Sequence, residues 1–407
     1  MAPPDSNSIF YLAWDYNWLS VRSLAFFSQA KKEGVNVTII APYKFDWFLK
    51  SIAYVSRFSK SEFSNQIQSR KKVYDQIDFL ADRVLGLSSV SYILYLFKRY
   101  YLMKEGIFNI HKRIIDQKIL RWVTIKEGDI IYGTEGASLQ LFSKTKPFKN
   151  TLILEAQAIH IDTALDIEEK FTNVKPDREK WWYEKHRREI DLSNFIIAYS
   201  DFQKDTFIQK SGKKDTEIGV IPLSSRFPKS GKYKEVQGIV EFLFVGRVGR
   251  RKGVDKLLEI WRKGNIKGNL HIVGKEDDLK MNSCPQGVYF HGYQNGQYLI
   301  NLFKQCHVFV FPTFNDSFGM VIQEALSFNM PVITNNNCGA SALLENQITG
   351  LIYDDPFDIN DLEESIKKFT ENPKMVEEYS KNILNRKPYD REDELLLGRK
   401  IISAILN

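Results

Sequence analysis

Four cations cluster in the run VGRVGRRKGV, where Arg247, Arg250, Arg251 and Lys252 follow an apolar segment ending at Gly246 and precede a helical pattern beginning at Val254. Guanidinium and ammonium groups at a strand end, beside the N–H groups of a helix start, suit a diphosphate. On charge alone the same loop reads equally as a solvated basic turn. Gly246, Gly249 and Gly253 are spaced three and four apart and form no GxGxxG, and the chain holds no GxxxxGK[ST]. A dinucleotide fingerprint and a P-loop are both disfavoured.

A second run, HVFVFPTFNDSFGMVIQEALSFNMPVI, places Asp316 at the mouth of a predicted helix over Gly319 to Phe328 and Glu324 eight positions on, inside it. Were all eight steps helical, the carboxylates would stand about 12 Å apart along the axis. That is too far for a general acid and base sharing one atom. It is far enough to hold the two ends of an elongated ligand, with the amides of Ser317, Phe318, Gly319 and Met320 on phosphates between them. Gly319 suits this, because a residue without Cβ lets a ligand approach the backbone. Taken one at a time, Asp316 reads as a helix N-cap and Glu324 as a helix-surface charge.

Both runs must be positioned by larger elements. In the second half, short apolar runs at Glu241 to Gly246, Leu270 to Gly274, Val288 to Gly292, His307 to Thr313, Pro331 to Asn335 and Gly350 to Asp354 read as buried strands. They alternate with helical patterns at Val254 to Lys263, Gly296 to Cys306, Gly319 to Phe328, Ser341 to Gln347 and Ile359 to Phe369. This alternation predicts a parallel sheet covered on both faces. The first half repeats it at Ser8 to Trp14, Val35 to Pro42, Asp129 to Gly133, Thr151 to Ala156 and Phe195 to Ser200. It is interrupted over about 43–128 by a basic, aromatic region of mainly helical pattern. The predicted fold class is α/β, with two Rossmann-like domains whose strand ends face a shared cleft. The domains are placed at 1–225 and 226–388, with 389–407 as a helix returning to the first.

Length and composition agree. At 407 residues, 43% hydrophobic and 26% charged, the chain is a folded protein too long for one core. The 57 basic and 50 acidic side chains give +7, which is no nucleic-acid signature. Residues 1–150 hold 22 basic and 13 acidic groups, so the first third carries +9 and the remainder −2. Cys284, Cys306 and Cys338 have neither CxxC nor Cys/His ligand spacing, which disfavours a disulfide scaffold or a zinc site. The N-terminus shows no basic-then-apolar leader and no stretch approaches 18 apolar residues, so a cytoplasmic setting is expected.

The run from Phe242 to Asp354 resembles the retaining glycosyltransferases of family 4, which have the GT-B fold. The match lies in FVGR…KG, LHIVG, VYFHGY, FPT…DSFG…QEAL…PVIT and TGLIYD, taken in order and spacing. Asp316 and Glu324 occupy the two places of that family's hallmark acidic pair. Weaker similarity extends to FIIAYSDFQKDTF and IGVIP in the first half.

The resemblance implies that Arg247 and Lys252 hold the donor diphosphate and stabilise charge on the leaving nucleotide. It implies that Glu324 binds the ribose, and that Asp316 with the amides after it binds the sugar. The backbone near Tyr293 and Gly246 would meet the base and the phosphates, and His160 would stand near the donor sugar. The implied activity is transfer of a hexose, with retention and without a metal or other cofactor, from a nucleotide sugar, a UDP-sugar being favoured over GDP-mannose. The implied acceptor is a glycan or a lipid-linked glycan. Two departures stand out: Asp316 is one methylene shorter than the family's usual Glu, and the loop Trp14 to Leu19 lacks the glycines many relatives carry. They motivate the alternative of a binding protein of the same fold that has lost turnover. In the basic third, SYILYLFKRYYLMK (Ser91 to Lys104) interleaves rings with Lys98, Arg99 and Lys104. Such a stretch suits peripheral attachment to an anionic membrane surface, or a packed helix with snorkelling cations.

Overall fold

The computed structural model describes residues 8–12, 21–43, 83–87, 124–178 and 180–406. Among them the first sheet comprises β1 (Ser8–Leu12), β2 (Asn36–Tyr43), β3 (Arg83–Leu87), β4 (Ile130–Thr134), β5 (Thr151–Glu155), β6 (Phe195–Ala198) and β7 (Ile218–Val220), all parallel, in the order β3-β2-β1-β4-β5-β6-β7. The second comprises β8 (Val240–Val245), β9 (Gly268–Val273), β10 (Val288–Phe290), β11 (Val308–Val310), β12 (Val332–Asn335) and β13 (Gly350–Tyr353), also parallel, in the order β10-β9-β8-β11-β12-β13. The helices of the first domain are α1 (Val21–Lys32), α2 (Leu139–Thr145), α3 (Ile161–Thr172), α4 (Trp181–Leu192) and α5 (Asp201–Ser211). Those of the second are α6 (Val254–Arg262), α7 (Gly296–Gln305), α8 (Met320–Ser327), α9 (Ile359–Glu371) and α10 (Lys374–Asn385), and α11 (Arg391–Leu406) follows them.

The two-sheet α/β architecture expected from the alternating runs is borne out. A parallel strand covered on both faces has no polar side, so it reads as a continuous apolar run. All five residues of β4 and all three of β11 are buried. Phe242, Leu243 and Phe244 of β8 are fully buried, and removing each such side chain from water stabilises the fold by about 2–3 kcal/mol. Helix α6 covers this strand through Val254, Leu257, Leu258 and Trp261, the spacing of one helical face. The Trp261 indole meets Phe242 edge-on with ring centroids 5.6 Å apart, and its Nε1–H donates to the Gly268 carbonyl at 2.9 Å.

Of the region 43–128, expected to be mainly helical, the described residues include strand β3, which pairs with β2 at the sheet edge. Most of that region lies outside the described residues. One local expectation is corrected. The helix expected over Ser341 to Gln347 is a 3₁₀ helix over Gly339–Leu343. Its first amides are drawn elsewhere: Gly339 N–H donates to the Asp316 carbonyl at 3.0 Å and Ala340 N–H to the Phe318 carbonyl at 2.5 Å. The stretches Trp14 to Leu19 and Ser91 to Lys104 lie outside the described residues. No helix among the described residues is long and apolar enough to cross a membrane.

Each sheet reverses its winding beside its first strand, between β1 and β4 and between β8 and β11. Open α/β sheets bind ligands in the crevice at the strand C-termini of such a reversal. The loops after β8 and β11 hold the two runs singled out above. The chain passes between the domains through residues 221–239, where Ser224 donates to Glu394 Oε2 of α11 from its N–H at 3.0 Å and its hydroxyl at 2.6 Å. Helix α11 then lies on α1: Gln29 Nε2 donates to Ser403 Oγ at 3.3 Å, and Ser403 Oγ donates to Glu33 Oε1 at 2.9 Å.

Candidate functional site

After β8 the chain turns through Gly249 into a 3₁₀ turn, Arg250–Lys252, and leaves it at Gly253 with φ +70°. A Cβ on Gly253 would stand 2.1 Å from the Pro312 carbonyl oxygen, so glycine lets this loop press against the one after β11. That contact delivers Lys252 into the crevice. Its Nζ pairs with Asp316 Oδ2 at 2.5 Å and lies 5.0 Å from the centre of the Phe311 ring. Burial holds the Lys252 pKa below the ordinary lysine value, and the Asp316 carboxylate offsets part of that by favouring the ammonium.

Asp316 is held in turn by its own loop. Its N–H donates to the Asn337 carbonyl at 2.9 Å, and its Oδ1 accepts the Phe318 N–H at 3.2 Å in an Asx turn. The Phe318 amide, one of the four expected to face phosphate, is therefore engaged within its own loop. Helix α8 begins at Met320 behind Gly319, whose φ of +87° is left-handed. Only Met320 to Glu324 is helical, so the separation of the two carboxylates is not a helix rise. Phe318 is buried and Met320 exposed.

Glu324 lies one turn into α8 and is 5% exposed. Burial pushes its pKa up, and Arg226 pulls it back. Arg226 Nε donates to Glu324 Oε1 at 2.8 Å and its Nη2 to Oε2 at 3.3 Å. This arginine escaped the sequence reading. It sits in a linker with neither helical nor strand period, and nothing local points from position 226 to position 324.

The structure thus joins Lys252 to Asp316 and leaves other candidates apart from them. Arg247 is 71% exposed, with Asp277 at 4.0 Å, and Tyr293 is 69% exposed. Gly246 follows β8, its N–H donating to the Val273 carbonyl at 2.9 Å. Ser317 is spent on the opposite domain: its hydroxyl donates to the Gln157 carbonyl at 2.9 Å, and its carbonyl accepts from Ser200 Oγ at 2.6 Å. His160 caps α3, its Nδ1 accepting the Asp162 N–H at 3.2 Å, and burial holds its pKa below the ordinary histidine value. The preceding residue, Ile159, packs with Phe314 from the loop after β11.

A second unanticipated group stands where β4 ends. Glu135 Oε2 accepts the N–H groups of Gln157 and Ala158 at 2.8 and 2.9 Å, while Oε1 pairs with His186 Nδ1 at 2.8 Å. These bonds fix the loop that Ser317 meets. Among the described residues no three His, Cys, Asp or Glu side chains stand close enough to hold a metal ion.

Residues 226–386 match the family model described as "Glycosyl transferases group 1". The chain is similar to the capsular polysaccharide biosynthesis glycosyltransferase CapM of Staphylococcus aureus, 30% identical over 213 residues that make up 46% of this chain and 55% of that protein. It is also similar to the lipopolysaccharide glucosyltransferase WaaG of Escherichia coli strain K12, 25% identical over 193 residues, 43% of this chain and 51% of that one. The chain spans from about a third to about half the length of the curated relatives it matches. The solved structure of Anabaena HepE in complex with UDP matches along the whole chain, with a TM-score of 0.60 at 14% identity, covering 98% of this chain and 99% of that one. The chain has the GT-B fold. Lys252 and Asp316 belong to the loops after β8 and β11, and Glu324 to the helix that follows β11.

Proposed function

We propose that this GT-B chain is a glycosyltransferase that moves a hexose from a nucleotide diphosphate sugar to a glycan or lipid-linked acceptor in the synthesis of a surface polysaccharide or glycolipid. The observation that carries the proposal is the pairing of buried Lys252 with the partly buried Asp316, 2.5 Å apart at the reversal point of the second sheet, with the buried Glu324 carboxylate on the helix that follows. A cation, a hydroxyl-binding carboxylate and a second carboxylate along one crevice match the diphosphate, sugar and ribose of such a donor. UDP in the HepE structure supports a UDP-sugar over a GDP-sugar.

Lys252 bonds the donor diphosphate and stabilises the negative charge that grows on it as the glycosidic C–O bond breaks, an electrostatic task worth most in a water-poor crevice. Sugar hydroxyls take over Asp316, which frees the ammonium for phosphate. Glu324 accepts the ribose hydroxyls. Attack by the acceptor on the face the nucleotide leaves gives retention, and the departing diphosphate takes up the acceptor's proton. No metal is required in this scheme. The test is to incubate the chain with UDP-glucose, UDP-galactose, UDP-N-acetylglucosamine and GDP-mannose, with and without a mixture of bacterial glycolipids and capsular oligosaccharides. Released nucleotide and the anomeric configuration of the product are measured. Acceptor-dependent release with an α-linked product is expected; no release from any donor, despite donor binding, would sink the enzymatic proposal.

A further inference from the structure

We propose that Arg226 is a displaceable occupant of the donor's ribose subsite, so that the interdomain linker sets the affinity of the second domain for nucleotide. The inference rests on the assignment of Glu324 as the ribose ligand and adds a residue that assignment does not contain.

The geometry is that of a substitute ligand. A carboxylate that binds a vicinal diol receives two donors from one side. Arg226 supplies two such donors side-on, Nε to Oε1 at 2.8 Å and Nη2 to Oε2 at 3.3 Å. The arginine side chain is 56% exposed and the carboxylate 5%, so the guanidinium covers Glu324 from the solvent side. Among the described residues Arg226 is the charged group that bears on this carboxylate. Without it, a buried acidic group would be left unpaired, which is costly.

Displacement is easy on the arginine's side. Its guanidinium carbon lies 4.8 Å from the centre of the Phe227 ring, and Phe227 is anchored against Phe303 and Phe328 at centroid distances of 6.0 and 5.5 Å. The guanidinium can leave the carboxylate for water without moving the anchor. The guanidinium, already more than half exposed, loses little in leaving, and the buried carboxylate needs new donors in its place. Ribose hydroxyls then take the two vacated acceptor positions.

The test is calorimetric titration of the full chain and its variants with UDP and with 2′,3′-dideoxy-UDP, repeated with the corresponding guanosine pair. R226Q is expected to bind the ribonucleotide about fivefold more tightly, because the competitor is gone, and the dideoxynucleotide with unchanged affinity. R226K, which keeps the charge without the fork, should fall between wild type and R226Q. E324Q should abolish the preference for ribose over dideoxyribose. If E324Q abolishes that preference while R226Q binds the ribonucleotide equally or more weakly, Glu324 stands and the role given to Arg226 is wrong. Should E324Q keep the preference, or wild type bind neither nucleotide, the ribose assignment fails and takes the inference with it.

Discussion

Lys252 and His160 show how differently two candidate side chains can be placed. Lys252 is buried against Phe311 and its charge is answered by Asp316. Lys252→Ala should lower turnover at least about 100-fold, as loss of a transition-state charge partner does, with thermal stability within a few degrees of wild type. His160 caps a helix with the ring nitrogen that protonation would occupy. Because its folded pKa lies below the ordinary value of 6.5, the unfolded chain binds the proton first as pH falls. The cap's contribution is therefore present above about pH 6.5 and lost as pH falls through and below it. His160→Asn keeps a good N-cap and removes the titration, so its unfolding free energy at pH 7.5 should match wild type and decline less between pH 7 and 5.5. Denaturant titrations across that range measure it. The sequence singled out Lys252, Asp316 and Glu324 through the runs that resemble a known family, each lying close to a strand end or a helix start, and the structure pairs the first two. Arg226, Glu135 and His186 were not legible, since their partners lie 98, 22 and 51 positions away and no local pattern encodes the meeting.

At the scale of elements, strands and helices of the second domain were legible because buried parallel strands and amphipathic helices carry different apolar periods. The contact of α6 on β8 gives a direct check. Trp261→Phe keeps the ring against Phe242 but removes the N–H that satisfies the Gly268 carbonyl, and should cost about 1–2 kcal/mol in urea unfolding. A change below a few tenths would mean that water replaces the indole there. The helix expected over Ser341 to Gln347 is instead a 3₁₀ turn over Gly339–Leu343, where Ser341 and Leu344 donate three residues back, and the turn is tied to Asp316 and Phe318 some twenty positions earlier. Short elements are ruled by such distant partners; long periodic ones are not.

For the molecule as a whole, the two domains touch along a seam made by Ser200, Gln157 and Ser317 and by the stacked rings of Phe171 and Phe314, whose centroids are 4.9 Å apart. Gly339 closes this seam, since a Cβ there would stand 2.3 Å from both Ser200 Oγ and the Ser317 carbonyl oxygen. Gly339→Ala should hold the domains apart. Small-angle scattering should show a larger radius of gyration, and turnover should fall about tenfold while nucleotide affinity stays within about twofold. An unchanged radius with unchanged turnover would mean the seam plays no part in catalysis. The excess of +9 in the first 150 residues is a property of the same scale. Co-sedimentation with anionic vesicles, reduced when Lys98, Arg99 and Lys104 are replaced by Gln, is expected if the Ser91 to Lys104 stretch meets a membrane. No binding at low salt would remove that proposal. The two-domain plan was legible from repeated strand and helix runs, whereas the seam was not, because it is built from single loop residues. One feature of that plan governs how such chains could exchange parts. Because α11 follows the second domain yet rests on α1, a recombination event that swaps residues 226–386 as one cassette preserves the recipient's own clasp. A single crossover within the linker instead imports a foreign helix onto α1, so viable chimeras should carry two junctions.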